Sequence, residues 1–234
     1  MATATGAATR RQKVERKERA ILEAARALFV ELGYDGTRMA AIAARAGIGE
    51  GTVYSYYAAK SELMQAVLGE FWEDLTAGAR AIVADRGDVF EQLGLLARYH
   101  LNAMIEQHDF LVLTHAVGNA HDDLAPSREQ LRRYVAVFDE IYRRGCDRGQ
   151  LRDADALWMM RDSFYGALEY SARTIILHQR DSGHTPDAVV ANLIGQFRAW
   201  TRADAARAAV VSDEGALALR LERAVDRIEA LMQS

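Results

Sequence analysis

Proline, cysteine and long apolar runs are scarce in this chain, and each scarcity excludes a class of protein. Only two of the 234 residues are proline, so little interrupts helical hydrogen bonding. The single cysteine, Cys146, excludes an intramolecular disulfide and fits a reducing compartment. No apolar run approaches the roughly 18 residues of a membrane span, and residues 1–19 lack the apolar core of a signal peptide. The sequence therefore predicts a soluble, cytoplasmic protein.

Apolar residues recur at helical spacing along most of the chain. No stretch alternates as a half-buried strand does, and 50% of the residues are hydrophobic, enough for a sizeable core. We therefore predict an all-α fold. The expected helices cover residues 14–32, 38–45, 50–57, 61–85, 89–107, 110–120, 127–148, 154–180, 186–202 and 214–232.

Charge is distributed unevenly. Residues 1–60 carry ten Lys or Arg and six Asp or Glu, a net charge of +4. Because the whole chain has a net charge of −4, residues 61–234 carry −8. A basic first quarter on an acidic body indicates a polyanionic partner at one end. The run from Arg10 to Arg19 is either an arm that reaches DNA or a disordered, solvated segment.

Residues 46–63, AGIGEGTVYSYYAAKSEL, contain three alternating glycines. A phosphate-binding loop of an NTPase requires a lysine after its last glycine, and none follows Gly51. A dinucleotide fingerprint requires a preceding strand, whereas a helix precedes Gly47. Lone Ser and His residues form no catalytic triad motif, and the histidine spacings do not suit a metal site. We therefore predict neither an enzyme nor a cofactor or metal site.

The same residues supply a helix-turn-helix. A helix that Thr37 caps, a turn with Gly47 and Gly49, and a second helix from Glu50 have the required lengths. Ser61 is the expected N-cap of the next helix. Val53 and Tyr57 are expected to face the core. Ile48 is expected to fill the space beneath the turn.

The stretch TRMAAIAARAGIGEGTVYSYYAAKSELMQAVL resembles the DNA-binding region of TetR-family transcriptional regulators, and the match covers about residues 14–70. The resemblance implies that Thr52, Tyr54, Tyr56 and Lys60 hold DNA phosphates. Their hydroxyl and ammonium groups are suitable donors. Thr37 and Arg38 are further phosphate candidates at a helix N-terminus, and Arg38 is also a possible base contact. Glu50, Gly51 and Ser55 are left to read bases.

The resemblance also implies a homodimer on a palindromic operator, joined by two late helices of each subunit. The apolar stripes of those helices are the predicted dimer interface: Leu157, Met160, Phe164, Leu168, Val190, Ile194 and Phe197. Packing within one subunit is the competing interpretation of the same stripes.

Aromatic and flexible residues of the central helices are candidates for an effector pocket. They are Phe71, Tyr99, Met104, His108, Phe110, Tyr134, Phe138, Phe164 and Tyr165, with His100, His108, His115, Asn119 or Arg128 as polar anchors. Ordinary core packing is the alternative for each. These residues suit an apolar or amphipathic effector. The second half of the chain also resembles fatty-acid-responsive members of the family, which implies an acyl-CoA or another lipid-like compound.

The predicted organisation is a basic, disordered arm (1–13), a three-helix DNA-binding domain (14–60), a larger helical ligand-binding and dimerisation domain (61–206) and an extra C-terminal helix (207–234). The predicted function is a ligand-responsive repressor that releases its operator on binding the effector. The alternative is a ligand-independent DNA-binding activator or architectural protein.

Overall fold

A computed structural model describes residues 2–84, 87–121, 124, 127–151, 157–177 and 185–200, with backbone alone for residues 2–10. These ranges contain helices and no strand, so the predicted all-α fold is confirmed. The helices are α1 (Ala2–Gly36), α2 (Met39–Ala46), α3 (Glu50–Tyr56), α4 (Lys60–Val83), α5 (Val89–Glu106), α6 (His108–Ala120), α7 (Arg128–Asp147), α8 (Leu157–Leu177) and α9 (residues 186–200). The C-terminal helix expected at 214–232 lies outside the described residues.

Helix α1 differs from the expectation at its beginning. Its backbone is helical from Ala2 onward, so residues 2–13 extend the helix and do not form a disordered arm. Near its other end, Gly33 leaves the helical conformation with φ 74° and ψ 167°. Glycine adopts a positive φ at little steric cost, so the expected break at Gly33 is confirmed.

Helices α1, α2 and α3 pack around an apolar core. Ile21, Phe29 and Ile42 are fully buried there. Val53 and Tyr57 join this core, with exposed fractions of 0% and 7%, as predicted. Ile48 is partly buried against the same cluster. The turn and the third helix are therefore held by apolar contacts beneath them.

Two predicted helix caps are wrong. Arg38, in extended conformation, is the N-cap of α2, and the Thr37 hydroxyl lies 2.7 Å from Gly33 O and 3.0 Å from Leu28 O. The N-cap of α4 is Ala59, and Ser61 lies within that helix. Glu62 accepts a hydrogen bond from Ala58 N at 2.7 Å, which ties the residue before the N-cap to the first turn of the helix.

The larger part of the molecule is a bundle of the later helices. Helix α4 packs against α1, α5 and α7, and α5 packs against α8. Ser127 begins α7 with a capping box to Gln130, a local signal that fixes where the helix starts. No helix of the described residues is long and apolar enough to cross a membrane.

Five of the seven residues predicted for the dimer interface are instead buried within the subunit. Phe164 and Leu168 are fully buried, and Met160, Val190 and Phe197 are 4–7% exposed. Leu157 and Ile194 are partly buried against the same core. Helical spacing identifies an apolar face and not the partner that covers it. The competing interpretation, packing within one subunit, therefore describes these residues.

Candidate DNA-binding surface and ligand cavity

The turn between α2 and α3 is built by its glycine. Gly47 has φ 67° and ψ 32°, the left-handed conformation. Its N–H donates to Ala44 O at 3.2 Å, and the Ile48 N–H donates to Ala43 O at 3.0 Å. This pair of hydrogen bonds is a Schellman motif, which ends a helix and turns the chain. Gly49 then serves as the N-cap of α3.

Helix α3 presents one face to solvent. Glu50, Gly51, Tyr54 and Ser55 are exposed, whereas Val53 is completely buried beneath them. Thr52 and Tyr56 are half-buried. The predicted base-reading residues therefore share an accessible surface with the predicted phosphate contact Tyr54. In the absence of DNA, the Ser55 hydroxyl donates to Thr52 O at 2.6 Å.

Thr37 and Lys60 do not match the predicted role in phosphate binding. Thr37 is 2% exposed, so its hydroxyl is inaccessible to DNA. The Lys60 ammonium lies 2.7 Å from Tyr34 O, 3.1 Å from Thr37 O and 3.4 Å from Asp35 O, and 4.3 Å from the centre of the Tyr34 ring. An ammonium has three donors, so Lys60 holds the end of α1 against the start of α4.

Substitutions of Lys60 and Arg38 should affect DNA binding in different ways. We expect Lys60→Met to lower thermal stability and operator affinity while preserving the dependence of affinity on salt. We expect Arg38→Met, at an exposed cation, to lower the slope of log K against log[salt] by about 0.9, the loss of one phosphate contact. Fluorescence anisotropy with operator DNA at several salt concentrations measures both. Equal slope losses would contradict the positional role of Lys60.

A cavity of about 780 Å³ lies in the larger bundle. Trp72 of α4, His100 of α5 and Tyr134 of α7 contribute to its buried walls, and α6 and α8 complete it. Charged residues lie at the exposed side, including Asp162, Glu169 and Arg173. This volume and lining suit a drug-sized ligand with an apolar body.

The predicted pocket residues divide into three groups. Met104, His108, Tyr134 and Tyr165 line the cavity, as do the proposed anchors His100 and His115. Phe71 and Tyr99 line a separate cavity of about 380 Å³ beside Arg26, where the Arg26 guanidinium lies 4.5 Å from the Phe110 ring centre. Phe138 and Phe164 are fully buried in the core. Asn119 and Arg128 do not line either cavity.

Sequence reasoning missed the charged residues of α8. Arg161, Glu169 and Arg173 line the cavity, and Arg161 reaches Asp139 of α7 at 3.2 Å. A search restricted to aromatic and flexible side chains overlooks them. Their spacing of four or eight residues along one helix is the signal that places them on a common face.

Burial controls the ionisation of the cavity's inner residues. It lowers the pKa of His100 to about 4 and raises the pKa values of Tyr134 and Tyr165. These three side chains are therefore neutral near pH 7. His100 Nδ1 lies 2.7 Å from the Tyr134 hydroxyl oxygen, so a neutral hydrogen bond joins α5 to α7.

The lowered pKa of His100 predicts acid destabilisation. The unfolded histidine binds a proton below its ordinary pKa of about 6.5, whereas the folded one resists it until about pH 4. Stability linked to His100 is therefore complete above pH 6.5 and is lost as the pH falls from 6.5 through 4, by roughly 3 kcal/mol at about 1.4 kcal/mol per pKa unit. Urea unfolding between pH 7.5 and 4.5 measures the loss. His100→Gln should reduce it, and an unchanged profile would contradict the assignment.

Comparison with known proteins agrees with the geometry of the turn. Residues 21–67, which include α2, the turn and α3, match the sequence model of the bacterial regulatory proteins of the tetR family. Residues 21–67 are a DNA-binding domain of the TetR type. Proteins with this domain are transcriptional regulators and not enzymes.

Relatives of the regulator extend the similarity beyond the DNA-binding domain. It is 20% identical to the fatty acid metabolism regulator protein of Bacillus subtilis (strain 168) over 162 residues, 68% of this chain and 84% of that one. A TetR-family structure from Mesorhizobium loti MAFF303099 superposes with a TM-score of 0.69 at 22% identity, covering 79% and 96% of the two chains. The structure of FadR from Bacillus subtilis in complex with stearoyl-CoA gives a TM-score of 0.60 at 18% identity, with 75% and 96% covered. The regulator shares the fold of these proteins.

Proposed function

We propose that the protein is a homodimeric repressor of the cytoplasm that binds a palindromic operator through α3 and releases it when an amphipathic ligand occupies the cavity. A long-chain acyl-CoA is the proposed effector class. The observation that carries the proposal is the direct attachment of the cavity walls to the DNA-binding domain.

Two helices make that attachment. Helix α4 begins at Lys60, soon after α3 ends, and places Trp72 in the cavity wall. Helix α6 lines the cavity and packs against α1. Just beyond α6, the His121 ring lies 5.4 Å from the Tyr34 ring, and Tyr34 O accepts from Lys60. A ligand that repositions α4 or α6 therefore changes the placement of α3. Its effect on DNA affinity equals its preference between the two arrangements.

The ligand class is supported by shape, chemistry and similarity. The cavity has neutral aromatic walls at its buried side and charged residues at its exposed side. An acyl chain suits the first, and a charged headgroup suits the second. FadR of Bacillus subtilis, which shares the fold, is described in complex with stearoyl-CoA.

The dimer is supported by the outer faces of α8 and α9. Trp158, Tyr170 and Leu177 are 61–75% exposed on α8. On α9 the exposed residues Ala188, Ala191 and Gly195 are small, which permits close helix packing. On α9 these small residues lie opposite the buried Val190 and Phe197, whereas Tyr170 and Leu177 of α8 also border the cavity. We propose that these outer faces pair across a two-fold axis, as binding to a palindrome requires.

A DNA-binding titration tests the proposed response. Full-length protein is titrated onto the DNA upstream of its own gene, with and without palmitoyl-CoA, and fluorescence anisotropy reports the affinity. We expect palmitoyl-CoA to weaken binding at least about fivefold, the lower end of ordinary allosteric coupling, and free coenzyme A to have no effect. Unchanged DNA affinity despite acyl-CoA binding would favour ligand-independent regulation.

A further inference from the structure

Two polar atoms at the buried side of the cavity have no hydrogen-bond partner among the described residues. They are His100 Nε2 and the Tyr165 hydroxyl oxygen. The two residues are 3% and 8% exposed, and both line the cavity. Buried polar groups in proteins are nearly always hydrogen-bonded to protein or water. Atoms of this kind in a cavity wall therefore indicate a polar group on whatever fills the cavity.

The two atoms belong to one aromatic cluster assembled from three helices. The Tyr165 ring of α8 meets the His100 ring of α5 edge-on, with 4.9 Å between centroids. The Tyr134 ring of α7 stacks on His100 and lies 5.6 Å from Tyr165. Each ring is thus fixed by the other two. The unpartnered atoms are held in place before a ligand arrives.

Both atoms act as donors in the arrangement that we assign. A phenol hydroxyl, with a pKa of about 10, is more acidic than the N–H of neutral imidazole, so Tyr134 donates to His100 Nδ1 across 2.7 Å. The imidazole proton then resides on Nε2. The Tyr165 hydroxyl is a second donor. One carbonyl oxygen has two lone pairs, enough for both donors.

The surroundings favour a neutral acceptor over a charged one. The three rings are uncharged near neutral pH, because burial lowers the pKa of His100 and raises those of both tyrosines. The nearby cation Arg161 is paired with Asp139, at 3.2 Å. A buried carboxylate would therefore have no counter-charge among these groups, which is strongly unfavourable.

We infer that His100 Nε2 and the Tyr165 hydroxyl bind an uncharged carbonyl oxygen of the effector, such as that of a thioester, and select against a free carboxylate. This inference rests on the proposed function and specifies its recognition chemistry. The charged rim receives the remainder of the ligand, and the apolar walls receive its chain.

Comparing three ligands isolates the contribution of the carbonyl group to binding affinity. Palmitoyl-CoA has the thioester oxygen, S-hexadecyl-CoA has the same chain and headgroup without it, and palmitate replaces the thioester with a carboxylate. By isothermal titration calorimetry at pH 7.5, we expect wild-type full-length protein to bind palmitoyl-CoA about tenfold or more tightly than either of the others, the loss of two hydrogen bonds.

Variants locate the effect at the two donors. Tyr165→Phe should reduce palmitoyl-CoA affinity severalfold and leave S-hexadecyl-CoA affinity unchanged, and His100→Phe should do the same. Because the Tyr165 hydroxyl has no partner in the described structure, Tyr165→Phe should leave the melting temperature of the ligand-free protein unchanged or higher. Tyr99→Phe removes a hydroxyl at the other cavity and should preserve both affinities.

The experimental outcomes distinguish the carbonyl inference from the proposed effector class. Equal wild-type affinities for palmitoyl-CoA and S-hexadecyl-CoA, with no effect of Tyr165→Phe, would overturn the carbonyl inference and assign the two atoms to ordered water, while the effector proposal would stand. Tighter binding of palmitate would overturn it as well. Failure of all three ligands to bind would overturn the proposed effector class, and the inference with it.

Discussion

Gly195→Arg is expected to convert the proposed dimer into a folded monomer and to weaken operator binding by about 100-fold or more. Gly195 is exposed on α9, and a side chain added there meets no atom within 4 Å in the subunit. The substitution also favours the helix, by roughly 0.8–1 kcal/mol relative to glycine. The subunit should therefore fold normally. Across a close two-fold interface, however, two buried arginines would repel and exclude packing.

The loss in affinity follows from losing one of two linked half-sites. A linked second site raises overall affinity by about 10²–10⁴, and a monomer forfeits that gain. Sedimentation velocity measures the oligomeric state, and fluorescence anisotropy measures DNA binding. Ala81→Arg, at an exposed position of α4, is the matched control and should remain dimeric. A Gly195→Arg protein that stays dimeric would place the interface elsewhere.

Phe164→Ala is expected to lower the free energy of unfolding by about 3–5 kcal/mol, the usual range for truncating a buried phenylalanine. Phe164 is 0% exposed. Its ring lies 4.9 Å from that of Phe138, 5.2 Å from that of Tyr165 and 6.0 Å from that of Phe197. Removal leaves a cavity between helices that cannot easily collapse.

Urea unfolding followed by circular dichroism, at fixed protein concentration, measures this loss. Leu32→Ala is a suitable control, because Leu32 is 54% exposed and surface changes usually stay within about 0.5 kcal/mol. If Phe164 instead lay between subunits, the variant would dissociate while each subunit kept its stability. That result would restore the interpretation drawn from sequence.

The helix-turn-helix was predictable because its determinants are local. Gly47 and Ile48 end α2 by donating to Ala44 O and Ala43 O, three and five positions earlier, and Gly49 begins α3. Val53 is buried because helical spacing places it beneath the exposed residues of α3. Such relations extend over a few residues, so sequence spacing is sufficient to infer them.

The errors arose where distant segments decide a residue's role. Thr37 has the chemistry of an N-cap, yet its hydroxyl turns back to Leu28 O. Lys60 has the chemistry of a phosphate contact, yet it reaches three carbonyls at residues 34–37. The stripe at Phe164 faces its own subunit because Phe138 and Phe197 cover it. None of these partners is adjacent in sequence, so periodicity could not identify them.

The division of α3 between a buried anchor and an exposed face has a consequence for engineering and evolution. Val53 fixes the helix, while Glu50, Gly51 and Ser55 are exposed in the subunit. Changes at these three positions should cost little stability, since surface substitutions generally do. Under the proposed role of these residues in base recognition, substitutions at the three positions can change operator preference while the fold is retained. Because these exposed residues can be changed without disturbing the core, α3 is a short segment for redesigning DNA recognition.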